Sequence, residues 1–259
     1  MRIAVLSDIH GNWPALRAVV AELEAARVDQ VLNLGDILSG PLWPQETAEW
    51  LMQQAWPAIA GNHERQLLDT RKPQGASDAF AARALGEAQK AWLAALPPAL
   101  VLEGADIRLC HGTPHADHEP LLDTVTPDFG AHASPGVRAA TPAEVRERLD
   151  DTGAATLLLC GHSHQPRVLA LGGLLVVNPG SVGLPAYDHD QPHRHRVETG
   201  SPHARWAIVE RAALGWRVEQ RLTAYDWRTA AAKAEAEGRG DWADALATGR
   251  VGRTEAELS

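Results

Sequence analysis

Five short segments of this chain carry Asp, Asn and His where they could gather metal ions. They are Asp8-x-His10, Gly35-Asp36, Gly61-Asn62-His63-Glu64, His111-Gly112 and Gly161-His162-Ser163-His164. Carboxylate, amide oxygen and imidazole without thiolate suit Mn, Fe, Zn or Ni in roughly five- or six-coordinate sites. The seven ligand candidates are Asp8, His10, Asp36, Asn62, His111, His162 and His164. They are too many for one ion that keeps open positions. Two divalent ions sharing one carboxylate are the economical reading, with Asp36 as the bridge. Such a pair can lower the pKa of a bound water and act as a Lewis acid.

Each segment follows an apolar run, and those runs must deliver the side chains. Residues 3–6, 31–34, 56–60, 107–110 and 156–160 read as buried strands. Between the first two, Asn12 offers a helix cap and Pro14 an early helical position, with Leu16, Val19, Val20 and Leu23 at helical spacing. Residues 45–52 and 76–96 also read as helices, and Pro97-Pro98 stops the second. A strand–helix alternation favours a layered α/β fold. In an open α/β sheet, ligands gather beyond the carboxyl ends of strands. Gly11, Gly35, Gly61, Gly112 and Gly161 flank the candidates, where the backbone must turn sharply.

Further along, Thr141-Pro142-Ala143-Glu144 starts a helix with a capping box, expected to run to about Asp150. Residues 168–171, 174–177, 206–209 and 216–220 read as consecutive antiparallel strands. Residues 113–140 and the His-rich stretch 187–203 read as long loops, which shape the entrance to a site. The whole of 1–259 reads as a single domain with a helical tail from about 225 to 259, anchored by Trp227 and Trp242.

In their order, the five segments resemble the calcineurin-like metallophosphoesterase superfamily, and within it the small bacterial and archaeal phosphodiesterase-like members. Asn178-Pro179-Gly180-Ser181 also looks like a turn of that family. The resemblance covers roughly residues 3–180. It implies an α/β/β/α sandwich of two mixed sheets flanked by helices, with a dinuclear centre at the strand ends. By that resemblance Asp8, His10, Asp36 and His164 would hold one metal, and Asp36, Asn62, His111 and His162 the other. His63 would be the catalytic histidine. The implied activity is metal-dependent hydrolysis of a small or nucleotide-like phosphodiester, with a metal-bridging hydroxide as nucleophile. One departure stands out. Ser/Thr protein phosphatases continue Gly-Asp into Asp-Arg-Gly, whereas Gly35-Asp36 continues into Ile37-Leu38-Ser39-Gly40. That change removes the usual carboxylate partner of the catalytic histidine and a phosphate-clamping arginine. Alternatives are a phosphomonoesterase, including a protein phosphatase, or a binding module with the same fold and weak catalysis.

Composition narrows the rest. With 33 acidic against 24 Lys and Arg residues, the formal net charge is −9. This argues against a general nucleic-acid binder, which needs a basic face. A small anionic phosphoester is still admissible, because bound cations invert the local charge. Cys110 and Cys160 are too few for a disulfide scaffold and read as buried core thiols. No stretch is long and apolar enough for a membrane span or signal peptide, so the expected location is cytoplasmic. Trp13 suits either helix packing or stacking on a substrate. His115, His118 and His132 read as solvated. His189, His193, His195 and His203 are spaced too irregularly for a third metal site.

Overall fold

The structure, a computed structural model, describes residues 1–102, 104, 106–149 and 153–258. In chain order the elements are β1 (Arg2–Leu6), α1 (Trp13–Ala26), β2 (Gln30–Asn33), α2 (Pro44–Leu51), α3 (Asn62–Leu68), α4 (Ala76–Ala84), α5 (Glu87–Ala94), β3 (Ala99–Leu102) and β4 (Ile107–Cys110). Then come β5 (Asp123–Val125), β6 (Val137–Ala139), α6 (Pro142–Arg148), β7 (Leu157–Leu159), β8 (Arg167–Leu171), β9 (Leu174–Asn178), β10 (Ala186–His189) and β11 (His195–Glu198). The chain closes with β12 (Ala204–Ala212), β13 (Gly215–Thr223), α7 (Trp227–Ala236), α8 (Gly240–Thr248) and α9 (Glu255–Leu258).

Two mixed sheets form the centre. One runs β13-β12-β1-β2 and the other β3-β4-β7-β9-β8. Within the first, β1 and β2 are parallel while β12 and β13 return antiparallel. In the second, β4, β7 and β9 are parallel and β3 and β8 are antiparallel edges. Side-chain alternation sorts the layers. Ile3 and Val5 of β1 face Leu109 of β4 and Leu157 and Leu159 of β7 in the core between the sheets. Ala4 and Leu6 turn the other way, against Leu16, Val19 and Leu23 of α1. Leu158 and Val176 turn outward on the second sheet, against Val145 of α6. The result is the expected α/β/β/α sandwich. Each fully buried Leu or Ile contributes roughly 1.5–3 kcal/mol, so these three cores fix the strand registers that aim the site. Among the described residues no helix is long and apolar enough to cross a membrane.

Several expectations need correcting. Residues 56–60 run beside β2 but make only one bridge, Asn33 with Ala58. Pro57 has no N–H to give a ladder, and only its carbonyl is used, by Asn33 N. The helix expected over 76–96 is two helices, broken where Leu85 and Gly86 take extended conformations. The stretches 113–140 and 187–203 are not plain loops. Each folds a hairpin, β5–β6 and β10–β11. The consecutive strands are two separate hairpins, β8–β9 and β12–β13, in different sheets. The helix starting at Thr141 ends at Arg148, and Asp150 lies outside the described residues.

Candidate metal centre

The ends of β1, β2, β4 and β7 meet at one edge of the sandwich, and backbone hydrogen bonds lock them together. Asp8 N donates to Gly35 O at 3.0 Å, His10 N to Asp36 O at 3.1 Å and Gly161 N to His111 O at 2.7 Å. The approach is so close that a Cβ on Gly35 would lie 2.4 Å from Gly61 N, and one on Gly161 2.0 Å from Ser7 Oγ. Only glycine fits there. Asp8, His10, Asp36, His162 and His164 all take left-handed backbone angles, with φ between 51° and 67°. Such angles are uncommon outside glycine, though Asp and His tolerate them better than most. They persist where the surroundings fix them, and they cluster at functional sites.

Two groups of ligand atoms result. Asp8, His10 and His164 form one, and Asp36, His111 and His162 the other. His10 Nε2 lies 3.1 Å from His164 Nε2, and His164 Nε2 is 3.3 Å from Asp8 Oδ1. His111 Nε2 is 3.0 Å from Asp36 Oδ2 and 3.9 Å from Asp8 Oδ1. Ring orientation is set from behind. The Nδ1 atoms of His10, His111 and His164 face the carbonyls of Ser39, Leu34 and Leu184 at 2.7–2.8 Å. With Nδ1–H donating there, each of these imidazoles in its neutral form presents the Nε2 lone pair to the site, the usual arrangement for metal-binding imidazoles. Asn62 points its amide NH₂ toward Gln66, 3.3 Å away, and leaves Oδ1 buried without a partner. Both carboxylate oxygens of Asp8 are buried, and the 3.3 Å approach of His164 is not a well-formed hydrogen bond. Buried acceptors left so are costly unless something positive fills the gap. The donor set therefore fits two divalent cations.

The electrostatics agree. Burial opposes ionisation of Asp36, yet His111 and His63 hold its carboxyl well below the usual range. Burial also works to lower His111, and the Asp36 carboxylate overrides it and lifts the imidazole to about 10. His63 rises to about 9 in the same way, through Asp36 and then Asp78. Burial first, and then a neighbouring imidazole, pushes His10 down to about 4 and His162 to about 3. A field that keeps protons on two buried imidazoles is one that attracts cations.

These shifts set a stability profile for metal-free protein. His63 and His111 have raised pKa values, so their contribution is present below about 6.5 and disappears as pH rises through about 9 and 10. His10 and His162 have depressed values, so their neutral burial destabilises the fold as pH falls from about 6.5 toward 4. The thermal midpoint of chelator-treated protein is therefore expected to peak near pH 6.5, and a midpoint that climbed steadily to pH 9 would contradict these assignments.

His63 belongs to neither ligand group. Its side chain is 29% exposed, and its ring lies 5.5 Å from that of His10. Its Nδ1–H donates to Asp78 Oδ1 at 2.8 Å, which turns Nε2 toward the cleft. The loss of a carboxylate partner expected from the Ile37-Leu38-Ser39-Gly40 departure is thus corrected: Asp78, from α4, fills the role. Asp78 lies in an alanine-rich helix far from every motif, so nothing local in the sequence signalled it.

Glu64 is a second residue whose task the motif did not reveal. It is 2% exposed, and its carboxylate accepts from Gly61 N (2.7 Å), Asp36 N (2.8 Å) and Ile37 N (2.8 Å). One side chain thereby ties the loop after β2 to the start of α3. Glu64→Ala would leave three buried N–H groups unpaired, at about 1–3 kcal/mol each. A loss of about 3 kcal/mol or more is expected in denaturant unfolding, and a loss below 1 kcal/mol would mean that water replaces the carboxylate.

The remaining polar candidates separate cleanly. Trp13 packs against Trp50 at 5.9 Å, away from the ligand groups. His115, His118 and His132 are exposed. In the β10–β11 hairpin His189 and His193 are exposed, but His195 is buried beneath Tyr187, whose ring lies 4.8 Å from His164. Cys110 and Cys160 lie in the outer core of the second sheet, where burial raises the Cys110 thiol to about 12. The turn at Asn178 buttresses the site. Asn178 Nδ2 donates to Gly161 O at 2.7 Å, and Ser181 Oγ donates to Asp8 O at 2.8 Å.

Residues 1–200 match the calcineurin-like phosphoesterase superfamily domain. The chain belongs to that superfamily. Relatives of this phosphoesterase span most of its length. An uncharacterized protein of Methanocaldococcus jannaschii is 25% identical over 210 residues, covering 77% of this chain and 75% of the relative. The crystal structure of a metallophosphoesterase from Sphaerobacter thermophilus shares the fold with a TM-score of 0.68 and 24% identity, over 96% of this chain and 100% of that one. A hypothetical protein from Pyrococcus horikoshii superposes with a TM-score of 0.73 at 20% identity, over 97% and 99%. The two candidate ligand groups lie within the residues that match the superfamily domain.

Proposed function

We propose that the chain is a metal-dependent phosphodiesterase acting on a small or nucleotide-like phosphoester. Asp8, His10, Asp36 and His164 would hold one divalent cation, and Asp36, Asn62, His111 and His162 the other. The observation that supports this reading is the gathering of six candidate N/O ligands in two groups, beside one histidine, His63, that stands outside them and is oriented by its own carboxylate. Bound there, the cations would supply charge for the phosphate oxygens and a water of lowered pKa. The chain's own contribution is then positional and acidic. His63, kept protonated by Asp78 and Asp36, would give its Nε2 proton to the departing ester oxygen. Its backbone N–H donates to Asp36 Oδ1 at 2.9 Å, so His63 and the Asp36 carboxylate are held as one unit.

The diester preference draws on Arg65. This guanidinium, two residues past His63, is engaged in a bidentate pair with Asp117 at 2.7 and 2.8 Å. A dianionic monoester gains most from a free guanidinium clamp, whereas a monoanionic diester needs it less. A phosphomonoesterase is the second reading, favoured by Asp78, which restores the carboxylate–histidine pair. The test is kcat/KM on bis(p-nitrophenyl) phosphate against p-nitrophenyl phosphate with excess Mn²⁺. The diester should be preferred. A tenfold monoester preference would replace the reading with the second, and no hydrolysis of either would favour a binding module.

A further inference from the structure

Beyond residue 200, the chain adds α7 and α8, which lie outside the stretch that matches the superfamily domain. Helix α8 reaches the site along two routes. On the first, Arg239 at its N-cap donates from Nη1 to Ser77 Oγ at 3.0 Å. Ser77 precedes Asp78, the carboxylate that orients His63. On the second, Trp242 is 6% exposed and sets its ring edge-on to that of His10, with centroids 5.7 Å apart. The same indole fills the space beside Gly40, where a Cβ would lie 2.6 Å from the ring. Gly40 follows Ser39, whose carbonyl faces His10 Nδ1. The two routes are joined. Gly40 N donates to Ser77 O at 3.3 Å, and the Arg239 guanidinium lies 5.9 Å from the Trp242 ring centroid. Arg239 is itself held by Asp241 (2.6 and 2.9 Å) and Glu255 (2.9 Å) and is only 12% exposed.

We infer that α8 is a positioning element of the active site, in which Arg239 sets the Asp78–His63 pair through Ser77 and Trp242 sets the ring of His10. The inference rests on the proposed roles of His63 and His10. A helix that merely covered the core would not need Arg239 and Trp242 to end on the supports of two different site histidines. Residues behind a metal ligand commonly alter affinity by about 10–100-fold when removed. Residues behind a general acid alter the proton it delivers, and so act mainly on poor leaving groups.

The test uses the full-length protein and two readouts. Mn²⁺ affinity by titration calorimetry needs no turnover. Trp242→Ala should weaken one of two sites about tenfold, Trp242→Phe should retain most of the affinity, and Arg239→Ala should bind as the parent does. On Mn²⁺-loaded protein, Arg239→Ala should lower kcat on an alkyl phosphodiester at least fivefold more than on the nitrophenyl diester, with KM little changed, and Arg239→Lys should recover part of the loss. Parental Mn²⁺ affinity in folded Trp242→Ala, or equal losses on both esters in Arg239→Ala, would overturn the inference. If Trp242→Ala fails to fold, the Arg239 variants decide. If the parent binds two ions but hydrolyses neither ester, the proposed function fails, and the calorimetry still judges Trp242.

Discussion

His63→Ala is expected to lower turnover of an alkyl phosphodiester by about 10²–10⁴-fold, the range of general acid–base help, while leaving two metals bound. His63 is outside both ligand groups, its Nδ1 is committed to Asp78, and the backbone N–H that holds Asp36 survives the substitution. Its neighbour provides the contrast. Asn62 has a buried amide oxygen with no hydrogen-bond partner. Asn62→Ala should therefore lower occupancy of one site, with partial rescue by excess metal. The His63 loss should be larger for an alkyl ester than for a nitrophenyl ester, whose leaving group needs little protonation. Metal stoichiometry and single-turnover rates on both esters check this. If His63→Ala sheds a metal, or slows both esters equally, it is not the acid.

Chelation should abolish hydrolysis and Mn²⁺ should restore it, because without a cation the attacking water keeps a pKa near 15.7 rather than about 7. Full activity in metal-free protein would end the mechanism. The imidazoles add a sharper requirement. His10 and His162 are already neutral at pH 7, whereas His111 is held protonated by Asp36. Ligation needs neutral imidazole, so metal binding must expel the His111 proton. Calorimetry at pH 7 in buffers of different ionisation enthalpy should show release of about one proton or more. Affinity should fall as pH is lowered. A binding heat independent of buffer would show that His111 is not a ligand.

The sequence carried the ligand pattern because each candidate follows an apolar run, and four of those runs are strands, whose ends are where an α/β sheet exposes polar groups. It failed where tertiary context decides. Pro57 withdrew the donor that would have made residues 56–60 a strand. Asp78 acts on His63 only because α4 folds back over α3, a contact with no local signature. Glu64 was visible within Gly-Asn-His-Glu, but its three backbone partners lie partly on another loop. The hairpins in 113–140 and 187–203 are short, rich in Pro, Asp and His, and lack the alternation that marks a strand.

The left-handed backbone at Asp8, His10, Asp36, His162 and His164 has a consequence for how mutations sort. An L-residue in that region is disfavoured by roughly 1–2 kcal/mol relative to glycine. Glycine at such a position relieves that strain while deleting the functional group. Cellular abundance and catalytic turnover, measured across the same library, should then part company at these five sites: glycine would be tolerated for abundance and inactive for turnover. At Gly35 and Gly161 the two readouts should instead fall together, because there any side chain collides with the opposite loop. Even without a substrate, that divergence would mark the positions which this fold keeps for chemistry rather than for its own stability.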